Sequence, residues 1–309
     1  MSAIPATRTR AERRTTPGVR IGRRRKGREE RRSSLLTLLL WVCGLYFAFP
    51  LVWLVVASTK DNADLFTSFG LWFGKRFSLF DNLATVFSTQ NGIYLHWALN
   101  TVLYAGVSAV GASLLATMAG YAFAKYDFPG GRALFSVTLG AIMIPLTALA
   151  IPTYLLFSSA GLTNTPSAII LPSLVSPFGV FLMRVYAADA IPDSLIEAAR
   201  MDGAGEWRIF WQVGLRLLGP GVVTVFLFAL VATWSNYFLP LIMLNSSGLY
   251  PLTVGLAQQQ AASAAGGGAQ ALFSTVITGS VVSVVPLILC FLYLQRYWQT
   301  GLATGSTKG

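Results

Sequence analysis

Six stretches of this chain, near 35–57, 100–123, 133–157, 167–187, 219–243 and 272–294, are each long and apolar enough to cross a membrane. Crossing the hydrocarbon core takes about 20 helical residues. No water reaches the backbone there, so each run has to satisfy its N–H and C=O groups internally, as a helix. Charged residues make up 11% of the 309 and hydrophobic residues 54%. A soluble chain carries about twice that share of charge. The first run is too long for the apolar core of a signal peptide and is followed by no small-x-small cleavage site, so it is expected to be retained as an anchor. The sequence thus predicts an all-α polytopic membrane protein with six transmembrane helices.

The net charge of +11 is concentrated at the amino terminus. Residues 1–34 hold twelve Lys and Arg against Glu12, Glu29 and Glu30, with Pro and Gly interspersed and no apolar period. Such a segment reads as a disordered basic tail that lies on the anionic cytoplasmic leaflet and fixes orientation. It lacks the interleaved aromatics that stacking on nucleic acid bases requires. With the amino terminus inside, 20 Lys and Arg fall on the cytoplasmic side and only Lys60, Lys75 and Arg76 on the other. Both termini are therefore expected to be cytoplasmic. The first outer loop, about 58–99, carries Phe66, Phe69, Trp72, Phe73, Phe77 and Phe80, which suit an interfacial aromatic belt or contact with an external partner.

Several chemistries find no support. Cys43 and Cys290 both lie in apolar runs, and His96 is the sole histidine, so no disulfide framework, metal site or His-dependent triad is indicated. There is no phosphate-binding G-x-x-x-x-G-K-[ST] run and no G-x-S-x-G elbow. Gly266-Gly267-Gly268 lacks the following Lys and hydroxyl, and reads as a linker. No run carries an ionisable residue at mid-membrane depth, where proton-driven transporters keep one. Any energy source is expected in another polypeptide.

Runs three and four contain Pro145 and Pro152, then Pro172 and Pro177. Proline removes a helical hydrogen bond and bends the axis, which membrane helices tolerate beside neighbours or a cavity. Run two carries Gly106, Ser108, Gly111, Ser113 and Thr117, which allow close helix approach.

The long polar interruption at 188–218 needs its own account. Within and beside it five acids (Asp189, Asp193, Glu197, Asp202, Glu206) mix with Arg184, Arg200, Arg208 and Arg216. Pro192 suits the first turn of a helix over Ser194 to Met201, and Gly203 is free to adopt a positive φ and end it. A second helix, Glu206 to Leu218, sets Ile209, Phe210, Val213 and Leu217 on one face. Two short helices around a glycine turn form a knob suited to docking a soluble partner.

The residues of this loop carry a resemblance. Glu197-Ala198-Ala199, then Asp202-Gly203-Ala204, with Phe210, Val213, Leu215 and Pro220 beyond, resembles the EAA loop of ABC importer permeases. Arg216 stands where that family usually has proline. Trp234-Ser235-Asn236-Tyr237-Phe238-Leu239-Pro240, Tyr250-Pro251-Leu252-Thr253-Val254-Gly255-Leu256 and the ending Gln295-Arg296-Tyr297 through Gly309 are similar to the maltose-type carbohydrate importers. The match is to the second of their two permease subunits, the one related to the maltose G subunit, and it extends over about 35–309. The basic tail has no counterpart.

The resemblance implies an ABC type I importer permease fold in a bacterial plasma membrane. It implies that Glu197, Ala198, Ala199, Asp202, Gly203 and Ala204 couple to a cytoplasmic ATPase dimer, which the tail residues Lys308 and Gly309 also contact. The other partners implied are a second homologous permease and an external solute-binding protein delivering a sugar. The chain itself would bind no cofactor and do no catalysis, since ATP and Mg belong to the ATPase. Trp234, Asn236 and Tyr237 are candidates for the substrate path, or else interfacial anchors. Import of glycerol phosphate or another small solute, and an ATP-independent channel or facilitator, are the alternatives.

Overall fold

The computed structural model describes residues 30–265 and 272–305 of the chain. The basic tail up to position 29, the Gly266-Gly267-Gly268 linker and the Lys308–Gly309 pair lie outside the described residues.

Every regular element of the described chain is a helix. Helix α1 (Glu30–Ser58) shows exposed apolar side chains at Leu36, Leu40 and Phe47, as a helix solvated by lipid requires. From Val52 onward the chain forms one compact unit. Two short helices, α2 (Asn62–Thr67) and α3 (Leu79–Ser88), lead into α4 (Ile93–Lys125). Then come α5 (Gly131–Ile142), α6 (Ala150–Ser159), α7 (Ser167–Ser173) and α8 (Pro177–Ala190). The polar interruption holds α9 (Asp193–Met201), α10 (Glu206–Ile209), a π turn over Phe210–Gly214 and α11 (Leu215–Leu217). The remainder is α12 (Gly219–Trp234), α13 (Phe238–Met243), α14 (Leu252–Ala265) and α15 (Phe273–Gly305).

The expected count of six membrane helices is not met. Four helical stretches are long and apolar enough to cross: Ser34–Ser58, Ile93–Lys125, Ser167–Ala190 and Phe273–Tyr297. A fifth is reached only if Glu206–Leu217 and Gly219–Trp234, which meet at 79°, count as one bent span. The run at 133–157 fails because of Pro145. Without an N–H, and with Ile144 pushed out of the helical region, it ends α5 at Ile142, and the chain turns until α6 begins at Ala150. The pieces of twelve and ten residues reach only about 18 and 15 Å at 1.5 Å per residue. The run at 219–243 stops at Trp234 and resumes only as the six residues of α13. The prolines of the fourth run are accommodated differently. Pro172 lies in the last turn of α7, while Pro177 opens α8 behind Ser176, whose Oγ accepts from Gly179 N at 3.2 Å.

Helix α4 is the mast of the compact unit and packs along α8 and α12. Between the buried aromatics Tyr94, Trp97 and Tyr104 toward one end and Tyr121 toward the other, its buried stripe is made of small residues: Ala105, Ser108, Ala109, Ala112, Ser113, Ala116, Thr117 and Gly120. At Gly120 the backbones of α4 and α8 come close: a Cβ there would fall 2.7 Å from Arg184 N and 2.8 Å from Met183 C. Gly106, by contrast, faces open space. Over 33 residues α4 extends about 50 Å, so its two ends serve different sites.

Candidate functional site

At the carboxyl end of α4 the polar interruption folds into a knob. Pro192 sits just before α9 in an extended conformation, and Asp193 opens the helix as an acid favourable to its amino terminus. Gly203, at φ +75, closes it. Its N–H donates to Arg200 O at 3.0 Å, and Ala204 N–H donates to Ala199 O at 3.0 Å, the paired bonds of a Schellman cap. Ala199 and Ala204 are drawn together by that cap and pack on the apolar core. The same turn leaves Glu197, Ala198, Asp202 and Gly203 exposed, next to Met201 at 89% exposure. Trp207 is 63% exposed and extends the uncovered apolar patch.

Three buried side chains, Ile196, Ile209 and Phe210, root the knob against Tyr121, Ala187 and Ile191. The second helix departs from regular form. A π turn carries one residue more than an α turn, which sets back the apolar face. Ile209 and Phe210 therefore point inward as expected, but Leu217 is 38% exposed and Leu218 is buried in its stead. The bend into α12 is made at Leu218, before Gly219 and Pro220, so Arg216 in place of proline does not abolish it.

Polar ties complete the anchorage. Lys125 ends α4 with its side chain 4% exposed and donates to Ile191 O at 2.6 Å and to Asp193 Oδ1 at 2.7 Å. Tyr126 OH donates to Glu206 Oε2 at 2.7 Å, and Arg200 Nε donates to Glu206 Oε1 at 2.7 Å. These two donors hold the Glu206 carboxyl below its ordinary value of 4.5. Partial burial, reinforced by the bond to Glu206, raises the Tyr126 phenol, so Tyr126 remains a donor.

Toward the other end of α4 lies the second locus. Trp97 Nε1 donates to Ser247 O at 2.8 Å, Asn100 Nδ2 to Gly248 O at 2.7 Å and Tyr104 OH to Leu249 O at 3.0 Å. Thr101 Oγ1 accepts from Leu252 N at 2.8 Å. One face of α4 thus fixes the backbone of 247–252, and with it the start of α14. Between α12, α14 and α15 runs an open cavity of about 450 Å³, bordered by Trp234, Tyr237, Thr253, Gln260, Ser280 and Ser283 among others. Trp234 is only 8% exposed and also belongs to an apolar cluster with Ala105, Ala109 and Leu230. Asn236 is not among the lining residues. Its Oδ1 accepts from Leu239 N at 3.3 Å, and its backbone oxygen accepts from Thr253 Oγ1 at 2.8 Å. Thr253, Gln260, Ser280 and Ser283 escape a reading of the sequence. The signal open to it was a hydroxyl pair at i, i+3 in an otherwise apolar run.

Comparison with known proteins places these loci in context. Residues 112–303 match the family described as binding-protein-dependent transport system inner membrane component. The arabinooligosaccharides transport system permease protein AraQ of Halalkalibacterium halodurans is 34% identical, over 90% of this chain and 97% of that protein. AraQ of Bacillus subtilis is 31% identical over 89% and 95% of the two chains. The lactose transport system permease protein LacG of Rhizobium radiobacter is 31% identical over 84% and 90%. In three dimensions the chain is similar to a subunit of a bacterial ABC transporter that imports the acidic polysaccharide alginate. The TM-score is 0.74 at 23% identity, covering 88% of this chain and 98% of that one.

Proposed function

The chain belongs to the binding-protein-dependent transport system inner membrane components, the permease subunits of ABC importers, and on that premise we propose that it translocates a neutral oligosaccharide. It is a transport subunit and not an enzyme. Within that reading it corresponds to the second permease of a maltose-type pair. It works in a bacterial plasma membrane with a homologous permease, a cytoplasmic ATPase dimer and an external solute-binding protein. ATP and Mg act on the ATPase.

The observation that carries the mechanism is the continuity of α4. Lys125 and Tyr126 hold the knob at one end, while Trp97, Asn100, Thr101 and Tyr104 hold the wall of the Trp234 cavity toward the other. Glu197, Ala198, Ala199, Asp202, Gly203 and Ala204 dock on the ATPase. When ATP draws the ATPases together, the knob moves with them, and the helix passes that motion to the pathway as a rigid body. A two-state bundle driven in this way alternates between outward and inward openings.

The cargo is read from the lining. Trp234 and Tyr237 supply faces for sugar rings, and Thr253, Gln260, Ser280 and Ser283 supply neutral donors and acceptors. Among the described residues no lysine or arginine lines the cavity, so a phosphate ester such as glycerol phosphate finds no counter-charge from them there. The relatives named for arabinooligosaccharides and lactose support the same class. The test is uptake by the assembled importer with Tyr237→Ala and Ser280→Ala. Neutral oligosaccharide uptake should fall at least tenfold with the ATPase rate retained. Undiminished uptake, or a preference for glycerol phosphate, overturns the assignment.

A further inference from the structure

The chain that follows the first crossing stretch, Ser34–Ser58, is bound back onto the place where that stretch ends. Ser78 N donates to Thr59 O at 2.8 Å, and Asn82 Nδ2 donates to Ser58 O and to Lys60 O at 2.9 Å each. Residues 59–78 thus form a closed loop rather than a projecting arm. The loop is also tied to the start of another crossing stretch, Phe273–Tyr297. Ser274 N donates to Asn62 Oδ1 at 2.9 Å, and the rings of Phe66 and Phe273 meet edge to face with centroids 5.4 Å apart. Helix α3 then leads into the start of α4, so the loop lies at the end of that helix opposite the knob. It is held at the level where two crossing helices end.

Two buried charges stiffen the loop from within. Lys60, 1% exposed, donates through Nζ to Ser68 Oγ at 2.9 Å and to Phe69 O at 2.8 Å. Asp64, also buried, accepts at Oδ2 from Lys75 N at 2.7 Å and from Arg76 N at 3.4 Å. Burying a charge is costly without such bonds, and here every one of them goes to the loop itself. What this fixed shape presents is apolar. Phe66, Phe69, Trp72, Phe73, Phe77 and Phe80 are all exposed, Phe69 to 72% and Phe80 to 75%. Trp72 meets Phe73 edge to face, as Phe77 meets Phe80, and between these pairs in the chain stand the exposed cations Lys75 and Arg76.

Six rings held rigidly in water are a liability that a visiting protein relieves only while it is bound. A solute-binding protein comes and goes, whereas lipid is present throughout the cycle. Depth points the same way. The ends of crossing helices lie at headgroup level, where aromatic rings and the stems of lysine and arginine settle. We propose that residues 62–80 are a lipid-seated anchor, whose six rings enter the boundary between headgroups and acyl chains while the cations meet lipid phosphates. Arg76 also pairs with Asp81 Oδ2 at 2.8 Å, so the phosphate contact falls chiefly to Lys75. The anchor is independent of the cargo.

The experiment uses the intact importer, with its ATPases and partner permease, in phospholipid nanodiscs. Its native cysteines are first replaced, Cys43→Ser and Cys290→Ser among them, and a nitroxide label is attached at Phe69→Cys, Trp72→Cys or Lys75→Cys. Relaxation of the label by oxygen, which concentrates among acyl chains, is compared with relaxation by a water-soluble nickel chelate. The labels at 69 and 72 should lie about 5–10 Å below the phosphates, and the label at 75 at their level. Saturating solute-binding protein should move none of them. Trp72→Phe in the otherwise native importer serves where a labelled variant fails to assemble: lipid brominated in its acyl chains should quench the wild type more than this variant.

Labels reached by the nickel chelate, and shielded from it only once solute-binding protein is added, would make the loop a protein-docking face and overturn the anchor. Labels open to the chelate with and without that protein would overturn it as well, as would equal quenching of the wild type and Trp72→Phe. None of these outcomes bears on the carbohydrate reading, which transport alone decides.

Discussion

Tyr126 and Glu206 stand 80 residues apart in the chain and 2.7 Å apart in space, phenol to carboxylate. The other oxygen of that carboxylate takes Arg200, so one side chain joins the end of α4 to both helices of the knob.

Because those bonds favour the charged form, the folded Glu206 titrates below its ordinary value of 4.5. A depressed carboxyl contributes its stability in full above that value and loses it as pH falls through the lowered one. Protection from hydrogen exchange over 193–209, taken relative to the intrinsic exchange rate at each pH, should therefore be high at pH 6–7 and fall below 4.5 within the wild-type complex. Glu206→Gln should exchange faster at neutral pH and lose much of the acid dependence. Parallel curves for the two proteins would show that Glu206 does not hold the knob.

Gly203 gives a second prediction. Nothing lies within 4 Å of a Cβ placed there, so a substitution meets no clash and feels only the φ of +75. A β-branched residue in that conformation costs about 1–2 kcal/mol. Gly203→Val should open the Schellman cap and separate ATP hydrolysis from uptake, whereas Gly203→Asn, more tolerant of the left-handed region, should retain most coupling. The ratio of sugar transported to ATP hydrolysed is the measurement. Equal ratios in the two variants would count against the turn as the coupling element.

The contrast between these two residues shows what a sequence makes legible. Gly203 announces itself locally: a glycine after a short amphipathic segment stops a helix, and the periodicity on either side gives the two arms of the knob. The Glu206 link is invisible because it depends on where the far end of α4 arrives. Leu217 shows another limit. Its place at helical spacing after Ile209, Phe210 and Val213 argues for burial, but the π turn at Phe210–Gly214 breaks the period and brings Leu218 inward. The membrane count failed for a related reason. Composition alone makes 133–157 a full crossing, and only backbone geometry at Pro145 shows it to be two shorter helices. The Trp234 cavity was half legible: its aromatics stand out in sequence, whereas Thr253, Gln260, Ser280 and Ser283 come together from two separate helices.

Gly120 supplies the last prediction, on the rigidity of the mast. A methyl group there would lie 2.7 Å from Arg184 N and 2.8 Å from Met183 C, both backbone atoms that cannot rotate aside. The helices must therefore separate, and overpacking of this kind costs about 1–3 kcal/mol. Lys125 lies five residues further along α4, and it holds Ile191 O and Asp193. Moving α4 off α8 therefore also shifts the root of the knob. Gly120→Ala should lower the thermal stability of the assembled importer and reduce uptake per ATP together. Gly106→Ala, on the same helix but facing open space, should change neither. If Gly120→Ala loses stability while keeping full coupling, α4 does not transmit the motion, and the mechanical role assigned to it falls.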